Sequence, residues 1–138
     1  MKIFTIWTML TIFFISISYA NPKNIEKTND LMIRISEIKV YQNYLDEYIS
    51  ILKEEAKASV KLESGVIAIY PMFQKDNPTK IRILEIYANE EAYKQHLKTP
   101  PFIYYKTETL KMVESLKLID MNEIDKESMF LIFKKEKK

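Results

Sequence analysis

The stretch VIAIYPMFQKDNPTKIRILEIY, residues 66–87, decides the fold of this chain. Its first eight residues are almost wholly apolar, a polar segment follows at residues 74–79, and residues 80–87 alternate between two faces. Two such runs joined by a short polar turn predict a β-hairpin. Pro71 has no N–H to donate to a neighbouring strand, so we expect its strand to lie at an edge of the sheet.

The residues before the hairpin predict a strand and a helix. Residues 31–40 alternate as a strand, and their phase changes after Glu37, which predicts a bulge there. Asn43 is the expected cap of a helix whose apolar face runs from Leu45 to Val60. Gly65, the only glycine of the chain, is expected to end this helix in a left-handed backbone conformation.

The residues after the hairpin predict a second, broken helical region and a fourth strand. Asn89 is the expected cap of a short helix, and Thr99-Pro100-Pro101 can end it and start another. Residues 116–121 alternate again. The resulting order, β-α-β-β-α-β, predicts an α+β protein with the ferredoxin-like fold. The apolar run MFLIF at 129–133 lies in a C-terminal tail, residues 125–138, that could add a further strand.

Residues 66–73 are apolar on both faces of their strand, whereas helices can cover only one face of such a sheet. The other face would be an exposed apolar patch, which soluble monomers rarely carry. A second copy of the same sheet, related by a two-fold axis, is the cover that we expect. The chain is therefore predicted to form a homodimer.

The first twenty residues have the layout of a secretory signal peptide. Lys2 precedes an apolar run, and Ser18-Tyr19-Ala20 places small residues before a cut at Asn21. Cleavage after Ala20 would leave a flexible lead-in at residues 21–30 and a domain at residues 31–124. It would also leave no stable membrane anchor, so we expect a periplasmic or secreted protein.

Composition excludes several kinds of chemistry among the chain's 138 residues. A net charge of only +2 gives no reason to expect a nucleic-acid partner. With no cysteine and one histidine, a conventional metal site is not expected. A single glycine excludes a dinucleotide-binding or phosphate-binding glycine loop, so no cofactor is predicted.

His96, the only histidine, is the first candidate for catalysis, because an imidazole can accept a proton near neutral pH. It could instead be structural, bonded to a backbone carbonyl near the broken helix. Glu85 lies among apolar residues and could orient His96, act as the base itself, or form a salt bridge with Arg82, Lys80 or Arg34. Aromatic side chains could line a slot for a flat substrate or belong to the core; they are Tyr70, Tyr87, Tyr93, Phe102 and Tyr105.

Short motifs in residues 59–102 resemble a known family. In order, they are Glu63-x-Gly65-Val66, Asn77-Pro78-Thr79, Glu85-Ile86-Tyr87, Ala92-Tyr93, His96-Leu97 and Thr99-Pro100-x-Phe102. Together they are similar to the antibiotic biosynthesis monooxygenase (ABM) domain, and within it to the quinol monooxygenase branch, over residues 31–124. The resemblance implies a dimeric α/β barrel. It departs at Pro101, where that branch usually has a histidine.

Members of this family differ in activity, and the resemblance leaves three functions open. The first is a cofactor-independent monooxygenase that oxidises a small quinol or phenol with molecular oxygen, with His96 as proton acceptor and Glu85 as its partner. The second is a non-catalytic module that binds a small molecule, which the proline at position 101 favours. The third is an isomerase of a small carbonyl or signalling metabolite.

Overall fold

A computed structural model describes residues 31–135, so the predicted signal peptide and the lead-in lie outside the described residues. Short 3-10 turns precede α1, at Gln42–Tyr44, and β4, at Leu110–Met112. The strands and α-helices are β1 (Met32–Val40), α1 (Leu45–Leu62), β2 (Val66–Phe73), β3 (Lys80–Tyr87), α2 (Glu90–His96), α3 (Pro100–Thr109), β4 (Val113–Met121) and α4 (Lys126–Lys135).

The four strands form one antiparallel sheet in the order β2-β3-β1-β4. This is the predicted ferredoxin-like α+β fold. The helix α1 packs against β2 and α3, and the core lies between the helices and the sheet. Its fully buried side chains include Val40, Tyr48, Ile81 and Met112. The strand β2 is an edge strand, which is the position expected from Pro71.

The sheet face away from the core, here called the open face, is largely apolar. The register places Tyr70 opposite Leu84 and Ile35 opposite Leu84, so these side chains share that face. Tyr70 is 62% exposed and Met72 is 41% exposed, whereas Ile35 and Leu84 are half-buried. Residues 66–73 are apolar on both sides because one side of their strand packs against the core and the other belongs to the open face.

The prediction of a bulge after Glu37 is wrong. Ser36, Ile38 and Val40 face the core, while Ile35 faces the other side, so the alternation runs without a break. The change of phase in the sequence arises because β1 carries apolar residues on the open face as well. The register irregularity against β4 lies later, between Lys39 and Val40.

Gly65 does not adopt the predicted left-handed conformation, because no glycine among the described residues has a positive φ. The reason for a glycine is a close approach instead. A Cβ atom at Gly65 would lie 2.5 Å from the Cβ of Ala92 in α2. Glycine therefore allows the loop after α1 to contact α2 directly.

The ends of α1 also differ from the expectation. The helix begins at Leu45 after the 3-10 turn, and its N-cap residue is Tyr44, without a side-chain hydrogen bond, rather than Asn43. Leu45 is buried as predicted, but Val60 is 44% exposed.

The second cap prediction is confirmed. The side chain of Asn89 accepts a hydrogen bond from the backbone N–H of Ala92 at 2.8 Å, which starts α2. The helix ends at His96, and α3 begins at Pro100.

The C-terminal tail does not add a strand, because residues 126–135 form the helix α4. The carboxylate of Asp125 accepts hydrogen bonds from the backbone N–H groups of Glu127 and Ser128, as a helix cap does. The hydroxyl of Ser128 also donates to this carboxylate, and this bond, followed by the backbone bond from Glu127, holds the pKa of Asp125 below its usual value. Within residues 31–135, the helices lack the combination of length and apolar character needed to cross a bilayer.

Candidate functional site

A cavity of about 480 Å³ lies between the sheet and the helices. This volume is in the range of sites that bind small organic molecules. Most of the wall is apolar and includes Leu52, Ile69, Ile83, Leu116 and Leu118.

Four of the five predicted aromatic residues lie on the cavity wall, namely Tyr87, Tyr93, Phe102 and Tyr105. The rings contact one another at their edges: the centroids of Tyr87 and Tyr93 are 5.2 Å apart. Tyr70 does not line this cavity, because it lies on the open face of the sheet. The sequence could not assign Tyr70 to a face, because residues 66–73 are apolar on both sides of the strand.

His96 is 2% exposed and lies on the cavity wall at the end of α2. Its Nδ1 is 3.0 Å from a carboxylate oxygen of Glu63, and its Nε2 is 3.6 Å from Oε1 of Glu55. The imidazole lies between two aromatic rings, with centroid distances of 5.4 Å to Tyr87 and 4.8 Å to Phe102. The histidine is therefore within hydrogen-bond distance of one carboxylate, lies near a second and contacts two rings, and it is not in bulk solvent.

Glu55 and Glu63 were not predicted from the sequence. A signal for Glu55 exists, since it falls three residues after Leu52 and seven after Tyr48, on the buried stripe of α1. Glu63 belongs to one of the family motifs, but by spacing alone it marks only the end of the helix. Their convergence on His96 depends on how the end of α1 and the loop after it lie relative to α2, which the sequence pattern does not contain.

Glu85 lies on the cavity wall. We predicted that it pairs with His96, but its hydrogen-bond partners are other residues. Its Oε1 accepts a hydrogen bond from the hydroxyl of Ser36 at 2.5 Å, and its Oε2 accepts one from the hydroxyl of Tyr87 at 2.8 Å. The alternative of a salt bridge to Arg34 also differs from the structure, because Arg34 pairs with Asp120 at 2.7 Å. The guanidinium carbon of Arg34 lies 4.6 Å from the ring centroid of Tyr93.

Burial changes the acidity of the groups around the cavity. It raises the pKa of Glu55 above the usual value, although the hydrogen bond from Ser59 and the nearby His96 oppose this shift. The charges of Glu85 and Glu63 raise it further. A carboxyl group in this position holds its proton to a higher pH than an exposed one.

The phenols of the cavity are held neutral. Burial, followed by the charge of Glu85, raises the pKa of Tyr87 far above its usual range. Burial raises the pKa of Tyr105 to about 12, against the hydrogen bond with Tyr48, whose hydroxyl oxygen is 2.6 Å away. These phenols therefore serve as hydrogen-bond donors, and proton acceptance is left to the imidazole and the carboxylates.

Within residues 31–135, no three histidine, aspartate or glutamate side chains are grouped so that they could hold a metal ion. The chemistry that the described side chains offer is proton transfer next to an apolar space. Binding would come from the aromatic wall and the apolar side chains.

Comparisons with known proteins give a consistent family. A family model described as antibiotic biosynthesis monooxygenase matches residues 32–107. One similar solved structure is the crystal structure of a candidate antibiotic biosynthesis monooxygenase from Bacteroides thetaiotaomicron, with 45% sequence identity and a TM-score of 0.69. The match covers 70% of this chain and 91% of that one. No curated protein matches the chain.

More distant structures share the fold. A candidate monooxygenase from Lactobacillus acidophilus is 29% identical with a TM-score of 0.65, and the match covers 67% of this chain and 44% of that one. A candidate antibiotic biosynthesis monooxygenase from Nitrosomonas europaea is only 14% identical, with a TM-score of 0.66 over 71% of this chain and 94% of its own.

Proposed function

The chain belongs to the antibiotic biosynthesis monooxygenase family, and from that premise we propose that it oxidises a small quinol or another phenol with molecular oxygen and without a cofactor. One observation carries the proposal: the buried imidazole of His96 lies on the wall of an apolar cavity of about 480 Å³. The cavity suits a single aromatic ring system, and the imidazole is the group that accepts its proton.

The proposed reaction starts with transfer of a proton from a substrate hydroxyl to Nε2 of His96. The resulting anion is electron-rich and reduces oxygen directly, and recombination gives a hydroperoxide that loses water. A hydroquinone and one molecule of oxygen then give a hydroxyquinone and one molecule of water. The substrate supplies all four electrons, so the protein contributes binding, exclusion of water and proton transfer.

Pro101 supports a second candidate function, a module that binds a small molecule without turnover. This residue stands where the quinol monooxygenase branch usually has a histidine, and it occupies the first turn of α3. If that histidine carries part of the proton transfer in the branch, this chain has only His96 for the task. Isomerisation of a carbonyl metabolite, which needs a base but no oxygen, is the third candidate.

Oxygen consumption by the purified protein with a panel of hydroquinones tests the proposal. We expect uptake that saturates with substrate and a product that contains one additional oxygen atom, measured with an oxygen electrode and by mass spectrometry. Saturable binding without uptake would support the binding module. Turnover of a carbonyl substrate under argon would support the isomerase.

We also propose that a second copy covers the open face of the sheet and forms a homodimer. The exposed Tyr70 and Met72 on this face support the proposal. Sedimentation at micromolar concentration should give a dimer for the wild type and a monomer for Tyr70→Glu. Tyr104→Glu is the matched control, because Tyr104 is equally exposed, at 60%, but lies on α3. A wild-type monomer would contradict the proposal.

Export of the protein stays a prediction from residues 1–20. If cleavage occurs after Ala20, the proposed oxidation takes place outside the cytoplasm.

A further inference from the structure

Glu63 has an unusual environment for a carboxylate. Its side chain is 16% exposed, and one of its oxygens, Oε1, is buried without a hydrogen-bond partner among the described residues. Burial of a charged oxygen without a partner is costly, so such a group is expected to have a role beyond stability. The other oxygen, Oε2, is the one 3.0 Å from Nδ1 of His96.

The backbone fixes the position of Glu63 on both sides. Its N–H donates to the carbonyl of Ser59 at 3.0 Å, and its carbonyl accepts from the N–H of Val66 at 3.0 Å. Two residues later, the loop contacts α2 through Gly65 and Ala92. The backbone that carries the carboxylate is thus held close to the helix that carries His96.

The two nitrogens of His96 differ in their partners. The distance of 3.0 Å between Nδ1 and Glu63 is that of a hydrogen bond, whereas 3.6 Å between Nε2 and Glu55 is too long for one. A carboxylate accepts hydrogen bonds and does not donate them, so the proton of a neutral imidazole belongs on Nδ1. The lone pair then lies on Nε2.

We propose that Glu63 is a positioning residue, whose carboxylate keeps the proton of His96 on Nδ1 and directs the lone pair of Nε2 towards Glu55 and the cavity. The role assigned to Nε2 in turnover rests on the proposed function, whereas the tautomer itself does not. When Nε2 takes up a proton, the carboxylate of Glu63 also stabilises the imidazolium. Besides Glu63, which follows the C-terminal end of α1, the ionisable groups near His96 come from two elements: Glu55 from α1, and Glu85 and Tyr87 from β3.

Nitrogen NMR of the imidazole tests the proposal directly, because His96 is the only histidine in the chain. Untagged protein labelled with ¹⁵N-histidine gives one pair of ring-nitrogen signals. In the wild type, at a pH where the ring is neutral, we expect a protonated Nδ1 and an unprotonated Nε2. In Glu63→Gln, we expect the tautomer with the proton on Nε2 to become populated.

The matched control is Glu54→Gln, which removes the same charge from an exposed position of α1, the helix that precedes Glu63. This control should keep the wild-type signals. A wild type with its proton on Nε2 would overturn the proposal, and this result does not depend on whether the variant folds. An unchanged tautomer in a folded Glu63→Gln protein would overturn it as well.

Kinetics provide a second measurement. We expect Glu63→Gln to lower kcat about tenfold to a hundredfold with little change in KM, as for other carboxylates that orient a functional imidazole. An unchanged kcat would contradict the role of Glu63 in turnover. If the wild type consumes no oxygen with any quinol, the proposed oxidation is wrong, while the NMR result still decides whether Glu63 sets the tautomer.

Discussion

Replacing His96 by asparagine should lower kcat for quinol oxidation by about 10²- to 10⁴-fold, the usual contribution of a general base. The amide nitrogen of asparagine can take the place of Nδ1 and still donate a hydrogen bond to Glu63. The substitution therefore removes the basic Nε2 while the carboxylate keeps its partner. Binding of the substrate should change by only a few-fold, since the apolar wall stays in place.

Oxygen uptake and ligand titration of the same preparation separate these two effects. Gln95→Asn is the matched control, because Gln95 is the exposed neighbour of His96 in α2 and should keep full activity. Full activity of His96→Asn would show that another group is the base. Glu55 and Glu85, two carboxylates of the cavity wall, would then be tested by replacement with glutamine.

The parts of the fold that the sequence predicts well are those set by local patterns. The strand β3 has the predicted bounds, Lys80–Tyr87, because a polar turn with a proline defines its start and the capped helix α2 follows its end. The cap at Asn89 is also local, since it joins a side chain to a backbone N–H three residues later.

The errors arise where a residue type has more than one physical use. A glycine can serve a left-handed turn or a close approach, and at Gly65 only the contact with Ala92 distinguishes the two. The five apolar residues at 129–133 have no period, so they fit a strand or a helix. The cap formed by Asp125 accompanies the helix.

Only part of the candidate site is predicted from the sequence, because local features identify some of its residues and contacts between elements determine the others. His96 is found because it is the only imidazole, and Tyr87 is found because its aromatic ring suits the wall of a slot for a flat substrate. Glu55 reaches His96 from α1 and Glu63 from the residue that follows α1, so their role depends on distances between elements. A sequence pattern shows which face a residue takes, but it does not show which residue of another element lies opposite.

Gly65→Ala should lower the free energy of unfolding by about 1–3 kcal/mol, the usual cost of overpacking. The added Cβ would lie 2.5 Å from the Cβ of Ala92, so the loop and α2 must move apart. Because Glu63 and His96 lie on opposite sides of this contact, their hydrogen bond should lengthen and kcat should fall together with stability. Chemical denaturation and oxygen uptake measure the two effects.

A double-mutant cycle with Ala92→Gly gives the decisive comparison for this contact. Ala92→Gly alone should cost about 1 kcal/mol, because glycine is unfavourable within a helix. In that background the nearest atom to the new Cβ is the Cα at position 92, at 3.4 Å, an ordinary contact. Since the φ angle of Gly65 is not positive, alanine there should then be neutral or stabilise by about 0.4–1 kcal/mol through the unfolded state. An equal cost of Gly65→Ala in both backgrounds would show that the requirement for glycine lies in the backbone of the loop and not in its contact with α2.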